Sequence, residues 1–336
     1  MPARDALDRS HRVVRHASAL PTPVRVGFHT PSGTSLVGSV ESFLGSAHAK
    51  HLQRRVRLLF TSPPFPLNRK KAYGNRVGTD FLLWFSALAP SLAELLTRDG
   101  SLVIEMGNAW EPGAPVMSTI PMESLLAFAR TGRLHLCQQF VCYNPARLPS
   151  PVQWVNVDRV RVKDAFTHIW WLGKSPHPLA DNRRVLVPYS DSMKDLLRTG
   201  TYNDGTRPSG HTIGAHSFAH DNGGAIPSNV LTMMNTTARD PYREYCDAQA
   251  LPIHPARMHP EVASFFIRML TKPGDTVLDP FAGSNTTGAV AETLERRWLS
   301  VEPVADYVLG SRGRFTSSTL GPALRRYNRE RDGHTR

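Results

Sequence analysis

Cysteine is scarce: Cys137, Cys142 and Cys246 are the only three in 336 residues, and none sits in a Cys-x-x-Cys pair. This excludes a disulfide-stapled scaffold and the usual zinc-ribbon spacings, and any disulfide scheme would leave one thiol over. A reducing compartment is expected, with the three cysteines as packing residues. Long apolar runs are also missing. The most apolar window, Phe81 to Leu96, is too short to cross a bilayer and is broken by Ser86, Pro90 and Glu94. The first residues carry Arg4, Asp5, Asp8, Arg9 and Arg12 without an apolar core of signal-peptide length, so a cytoplasmic location and no membrane partner are expected. Acidic residues are few, 28 against 40 Lys and Arg, for a formal charge of +12. That surplus argues for a polyanionic partner, with nucleic acid ahead of membrane.

What is present is an α/β pattern interrupted once. Val56 to Phe60 reads as a strand and Phe81 to Leu96 as a helix stopped at Asp99-Gly100. Ser101 to Met106 is the next strand, followed by a helix over 123–130, a strand over 136–143 and a buried strand over 168–172. From 175 to 252 the periodicity dissolves into Gly, Pro, Asn, Ser and His. It resumes with a helix over 262–270, a strand over 276–279, a helix over 287–296 and a strand over 298–302. The expected architecture is an α/β fold with a doubly wound, mostly parallel sheet. Its parts are a basic arm (1–25), a catalytic half (26–174), an irregular insert (175–252), a cofactor half (253–315) and a basic tail (316–336). The arginines of 312–336 read as part of a mobile end.

Two segments carry the chemistry. Asp279-Pro280-Phe281-Ala282-Gly283-Ser284-Asn285-Thr286-Thr287-Gly288 follows a strand and opens a helix. Gly283 lets backbone approach a ligand closely, and the unpaired N–H groups at Ser284 to Thr287 suit a carboxylate. Glu302, ending the next strand, stands where an acid bonds ribose hydroxyls. A plain βαβ turn with an incidental acid is the bland alternative, and the register of all five features weighs against it.

The other segment is Thr61-Ser62-Pro63-Pro64-Phe65, on the loop after the strand over 56–60. An amino group conjugated to a nucleobase is a poor nucleophile. Acceptors on its two N–H groups let the nitrogen pyramidalise and aim its lone pair at a methyl sulfonium. Ser62 Oγ and the Pro63 carbonyl can supply both acceptors, the prolines stiffen the loop, and Phe65 offers a face for an extruded base. Arg69, Lys70 and Lys71 follow at once, and read equally as a solvated face or as a phosphate clamp. In the insert, Arg207, His211, Asn222 and Asn229 have donors and acceptors that read base edges. His211, His216 and His220 lack the helical spacing and the further ligands of a metal site, so no metal is expected.

These residues resemble the beta class of DNA amino-methyltransferases, in which the catalytic loop precedes the cofactor loop in a circularly permuted order, and within it the PvuII-type cytosine-N4 modification enzymes. The likeness extends from Ser35 to Phe315 through Lys70 to Asn75, Leu148-Pro149-Ser150-Pro151, Trp154-Val155-Asn156, Arg161 to Ala165, His254 to Arg257, and the insert. It implies S-adenosylmethionine as cofactor and double-stranded DNA as substrate, with 175–252 as a target-recognition region. A companion restriction endonuclease would be a genetic, not a physical, partner, and the target a palindrome like CAGCTG. By the same likeness Ser62 to Phe65 form the catalytic motif, its serine leaning towards cytosine N4. Asp279, Phe281, Gly283 and Glu302 form the cofactor site with Thr61, Ser284, Asn285 and Thr286, and His254 closes over the methionine end. Tyr143-Asn144-Pro145 would line the base pocket.

Three departures stand out: Ser39 where the family has Asp, Met258-His259 for Phe-Pro, and Asn285 for a third glycine, an Asn shared with the PvuII-type enzymes that this chain resembles. Two alternatives stay open from the residues. One is adenine N6 as target; the other is a DNA-binding regulator whose cofactor site has lapsed.

Overall fold

Strands buried on both faces need adjacent apolar residues, which Leu58-Leu59-Phe60 supplies in Val56–Thr61 and Val277-Leu278 in Thr276–Asp279. They lie side by side and parallel in a nine-stranded sheet. The computed structural model describes residues 23–66, 76–200, 205–214, 218, 220–233 and 240–315. In chain order the strands are β1 (Arg25–His29), β2 (Gly33–Val37), β3 (Val56–Thr61), β4 (Leu96–Gly107), β5 (His135–Tyr143), β6 (Phe166–Gly173), β7 (Gly205–Thr206), β8 (Thr212–Ile213), β9 (Val230–Thr232), β10 (Thr276–Asp279) and β11 (Arg297–Glu302). The sheet order is β1-β2-β11-β10-β3-β4-β6-β5-β9, and β7 pairs with β8 separately. From β2 to β4 all neighbours are parallel, whereas β1 and β6 run antiparallel to theirs. Strands from the end of the chain thus fill the middle of the sheet, between β2 and β3.

The helices are α1 (Val40–Leu44), α2 (Ala47–Leu52), α3 (Gly78–Leu95), α4 (Ile120–Thr131), α5 (Asp191–Thr199), α6 (Pro241–Ala248), α7 (Pro260–Leu270), α8 (Thr286–Thr293) and α9 (Ala305–Ser311). One buried cluster joins Phe81, Phe85 and Leu92 of α3 and Leu125 and Phe128 of α4 to one sheet face. The other joins Val262, Phe266 and Leu270 of α7 and Val290 of α8 to the opposite face. The sheet is doubly wound, as its sequence pattern predicts.

Four expectations need correction. Asp99-Gly100 does not stop α3, which ends at Leu95; Leu96 already pairs with Val56 in β4, and its side chain is buried there as it would be on the helix. Helix α8 stops at Thr293, because Glu295 turns left-handed (φ 61°) and Arg296 N–H closes back on the Ala291 carbonyl at 2.8 Å. Arg25 belongs to β1 and not to an arm, and Arg312 and Arg314 belong to the folded body, where the Arg314 side chain is only 10% exposed. The region 175–252 is less irregular than its composition suggests. It holds α5 and α6, and β9 joins the main sheet edge beside β5, burying Leu231. The remainders of the arm and tail, 1–22 and 316–336, lie outside the described residues.

Candidate active site and cofactor cleft

Because β3 and β10 are parallel neighbours, with Leu58 opposite Val277 and Leu59 opposite Leu278, the loops that follow them leave the same sheet edge. They are tied directly. Thr61 Oγ1 donates to Asp279 Oδ1 at 2.7 Å, Thr287 Oγ1 donates to Oδ2 at 2.7 Å, and Phe281 N–H donates to Oδ1 at 3.1 Å. Burial pushes the Asp279 carboxyl up to about 6 despite these donors. The two loops open on one cavity of about 720 Å³. Thr61 and Asn285 act from behind its wall; Ser62 to Phe65, His254, Asp279, Phe281, Gly283, Ser284, Thr286 and Glu302 all line it.

At one end, Gly283 adopts φ 50°, and a Cβ there would come within 2.9 Å of the His254 ring. Only glycine leaves room for that imidazole. The Gly283 N–H donates to Glu302 Oε2 at 3.0 Å and the Val304 N–H to Oε1 at 3.0 Å, holding the carboxylate at the end of β11. Burial pushes Glu302 up to about 7, with Asp279 adding repulsion and the two N–H groups opposing. His254 is held below its usual value, first by burial. Asn285 is left-handed (φ 56°), a conformation Asn tolerates better than most residues other than glycine, and its side chain caps α8 at Gly288 N–H, 3.2 Å away. Phe281 meets Trp84 of α3 edge-on at 5.8 Å between ring centroids. An acid at the end of β11, a side-chain-free turn and an aromatic wall fit a ribose, a close backbone contact and a purine face. This donor set fits S-adenosylmethionine.

Ser39, at the departure from the family Asp, lines this end and caps α1 by accepting from Ser42 N–H at 3.2 Å. Met258 and His259 line the cavity too, and His259 caps α7 by accepting from Glu261 N–H.

At the other end lie Ser62, half-buried Pro64 and Phe65, and buried Pro63. Phe65 packs on Gly107, where an added Cβ would clash with its ring at 2.5 Å. Parallel pairing of Thr61 with Ile104 puts Glu105 of β4 next in register beside Ser62. Glu105 accepts from Thr167 Oγ1 at 2.9 Å, and burial raises its carboxyl above the ordinary range. Cys142, Asn144 and Arg147 complete this wall, and burial with the nearby Glu105 pushes the Cys142 thiol to about 12. Of Tyr143-Asn144-Pro145, only Asn144 lines the cavity.

Sequence patterns missed several participants. Trp84 reads as the core stripe of α3 yet lines the cavity; Glu105 is one more residue of a buried strand. Arg314 reads as tail, but its Nε donates to the Ser284 carbonyl at 2.7 Å and its Nη2 to Ser284 Oγ at 3.0 Å. Its guanidinium lies over Tyr242 and near Asp240, and burial lowers it to about 10. No local signal distinguishes it from its neighbours.

The expected DNA contacts lie away from the cavity or outside the described residues. Arg69, Lys70, Lys71 and His216 fall outside them. Arg207 and His211 stand at the tip of the β7–β8 ribbon, closed by Arg207 N–H to His211 O and Gly210 N–H to Arg207 O, both 2.8 Å. Asn222 is exposed, its backbone N–H donating to Tyr189 Oη at 2.8 Å. Among the described residues no group of three or more His, Cys, Asp and Glu is placed to hold a metal, and no helix is long and apolar enough to cross a membrane.

A family model described as DNA methylase matches residues 56–311. The type II methyltransferase M.PvuII of Proteus hauseri is 40% identical over 295 residues, covering 87% of this chain and 86% of that one. The solved PvuII DNA methyltransferase (cytosine-N4-specific) superposes with a TM-score of 0.70 over 92% of this chain and 96% of that one. Identity over this longer span is 32%. A DNA modification methylase of Thermus thermophilus solved with S-adenosyl-L-methionine shares the fold at 19% identity, with a TM-score of 0.51 and coverage of 85% and 93%.

Proposed function

The chain belongs to the DNA methylase family, and from that premise we propose that it transfers a methyl group from S-adenosylmethionine to N4 of a cytosine flipped out of duplex DNA. The observation that carries this is the tie between Thr61 and Asp279: it sets the Ser62 loop and the Gly283 loop on one cavity, large enough for a nucleoside beside a base.

S-adenosylmethionine, when bound, supplies a methyl group on a cationic sulfonium. Glu302 accepts the ribose hydroxyls, Gly283 lets backbone close on the ligand, and Phe281 with Trp84 walls the purine. The flipped cytosine enters beside Phe65. Ser62 Oγ and the Pro63 carbonyl accept the two N4 hydrogens, so the nitrogen lone pair turns out of the ring plane. The lone pair forms the N–C bond as the C–S bond breaks, with no covalent enzyme intermediate. The proton that N4 sheds goes to Glu105 or to water, and the raised carboxyl makes Glu105 a stronger base than an ordinary carboxylate. Catalysis comes from positioning and from preorganised hydrogen bonds.

The folded elements support a division of labour in which 26–174 supplies chemistry, 253–315 the cofactor site and 175–252 the sequence reader. In that reader the exposed ribbon tip with Arg207 and His211, together with Asn222, meets base edges. Arg69, Lys70 and Lys71 clamp phosphate. The reading includes a cytoplasmic setting, a companion endonuclease encoded nearby and a CAGCTG-like palindrome.

The test is to incubate the purified protein with S-adenosylmethionine and unmethylated plasmid, digest to nucleosides and identify the product by mass. N4-methyl-2′-deoxycytidine is expected. N6-methyl-2′-deoxyadenosine would move the target, and no methylated nucleoside would leave a DNA-binding regulator.

A further inference from the structure

The connection between β5 and β6, residues 144–165, contains three of the family-like stretches, and the methyl-transfer geometry above uses none of them. It begins at the cavity wall, since Asn144 and Arg147 line it. Its root is fixed. Asn144 N–H donates to the Ala165 carbonyl at 2.7 Å, Arg147 N–H to the Asn144 carbonyl at 3.1 Å, and Lys163 Nζ to the Pro145 and Arg147 carbonyls at 2.8 and 3.2 Å. Further out, the Arg161 guanidinium lies 3.9 Å from the Trp110 ring centroid and donates to the Pro115 carbonyl.

This tethered segment nevertheless presents bare aliphatic side chains. Leu148 is 79% exposed and Val162 86%, with Val152, Val157 and Val160 similarly open. A single exposed aliphatic residue is ordinary; a run of them on one anchored segment, interleaved with Arg147, Arg159, Arg161 and Lys163, is not. The segment's two acids, Asp158 and Asp164, accept from Gln153 Nε2 and Asn108 Nδ2 and keep their charge, so four cations stand against two anions. The surface is therefore apolar and cationic together.

We infer that this segment is a wedge that enters duplex DNA beside the flipped base, with Leu148 filling the space the base leaves in the stack. The inference rests on the proposed cytosine methylation. Extruding a base costs stacking, and an inserted aliphatic side chain restores apolar contact in the gap. Leu148 follows Arg147, a wall residue of the cavity that receives the base, and Pro149 restricts how far the chain can swing away. Charge favours DNA over a second copy of the chain, since two such segments face to face would set Arg147, Arg159 and Lys163 of each copy against like charges.

The experiment compares wild type, Leu148→Ala and Leu148→Met after the modified site has been located by sequencing wild-type-methylated DNA. Affinity is measured for a duplex with the site and for one without it, and base extrusion by 2-aminopurine fluorescence at the target position. For Leu148→Ala, the ratio of site to non-site affinity should fall about tenfold and the fluorescence change should shrink. Leu148→Met should keep both, and cofactor affinity should not move. A wild-type ratio and fluorescence change in Leu148→Ala would overturn the inference. So would an equal loss on both duplexes, which marks a general DNA contact, or a changed oligomeric state, which marks a subunit interface. Absence of N4-methylcytosine from wild-type reactions would instead remove the underlying reading, an outcome read before any variant is made.

Discussion

Thr61 and Asp279 lie 218 residues apart in the chain and share a buried hydrogen bond of 2.7 Å. The bond joins the strand that ends in the Ser62 loop to the strand that ends in the Gly283 turn. Thr287 holds the second carboxylate oxygen, so Asp279 fastens β3, β10 and α8 at the point where the cavity opens. Through these bonds it holds together the two loops that open on the cavity.

Replacing this acid should therefore loosen both loops. Asp279→Ala leaves the Thr61 and Thr287 hydroxyls buried without their acceptor and should cost about 2 to 4 kcal/mol of folding stability, measured by urea denaturation at pH 7, along with cofactor affinity. Asp279→Asn tests the charge separately. The folded-state carboxyl is raised from 3.8 to about 6, so the folded protein holds the proton longer than the unfolded chain does. This group's contribution to stability falls as pH rises from about 4 to about 6. The Asn variant should lack that part of the pH slope; an unchanged slope would show that Asp279 titrates normally.

Glu302 gives a pH dependence of binding. Its carboxyl is raised from 4.5 to about 7 in the ligand-free protein, so it loses stability for the fold as pH rises through that window. The ionised form is the one that accepts ribose hydroxyls and favours a cationic ligand. S-adenosylmethionine affinity should rise between pH 6 and pH 8 by at most about tenfold per pH unit, then level off. Glu302→Gln should flatten this profile and, at pH 8, weaken binding by about 1.5 to 3 kcal/mol. Calorimetric titration across the range decides it; a flat wild-type profile would mean the ribose is held elsewhere.

The legible parts of the molecule were those with a local signature. Asp279 to Gly288 announces a strand, a left-handed turn and a helix start, and Ser62-Pro63-Pro64-Phe65 announces a stiff acceptor loop after an apolar strand. Apolar spacing tells β3, with its unbroken Leu58-Leu59-Phe60, from α3, whose Phe81, Phe85, Leu88 and Leu92 recur at helical intervals. Glu105 and Trp84 could not be picked out this way. Each sits in an element whose other residues are core, and only the sheet order, with β4 beside β3 and α3 leaning over Phe281, turns them towards the cavity. Arg314 was hidden for another reason. An arginine near a basic end reads as solvated, and the contacts that bury it come from Ser284, Asp240 and Tyr242, remote in sequence. β9 escaped notice because three residues amid Pro, Ser and Asn carry no period; β5 supplies the edge that makes them a strand.

Ser62 should matter to rate alone. Ser62 lines the cavity, and in the proposed reading its hydroxyl meets the target amine and not the cofactor. Ser62→Ala removes one acceptor from the target amine and should lower turnover by about a hundredfold or more, with cofactor affinity retained. Single-turnover methylation on an oligonucleotide substrate measures this, and wild-type turnover would sink the assignment.

Specificity should reside in the ribbon at 205–213. A two-stranded ribbon fits the major groove, and here its tip is closed by backbone hydrogen bonds at Arg207, which hold the guanidinium's base in place. If Arg207 reads a guanine edge, Arg207→Ala should relax one position of the target by about 1 to 3 kcal/mol while leaving the others strict. Replacing Lys70 and Lys71 together should act differently, weakening binding to all sequences alike and flattening its dependence on salt, because phosphate contacts release counterions without reading bases. Sequencing methylated positions for both variants across a randomised site library separates the two. Full specificity in Arg207→Ala with altered base preference in the lysine variant would reverse the assignment of reader and clamp.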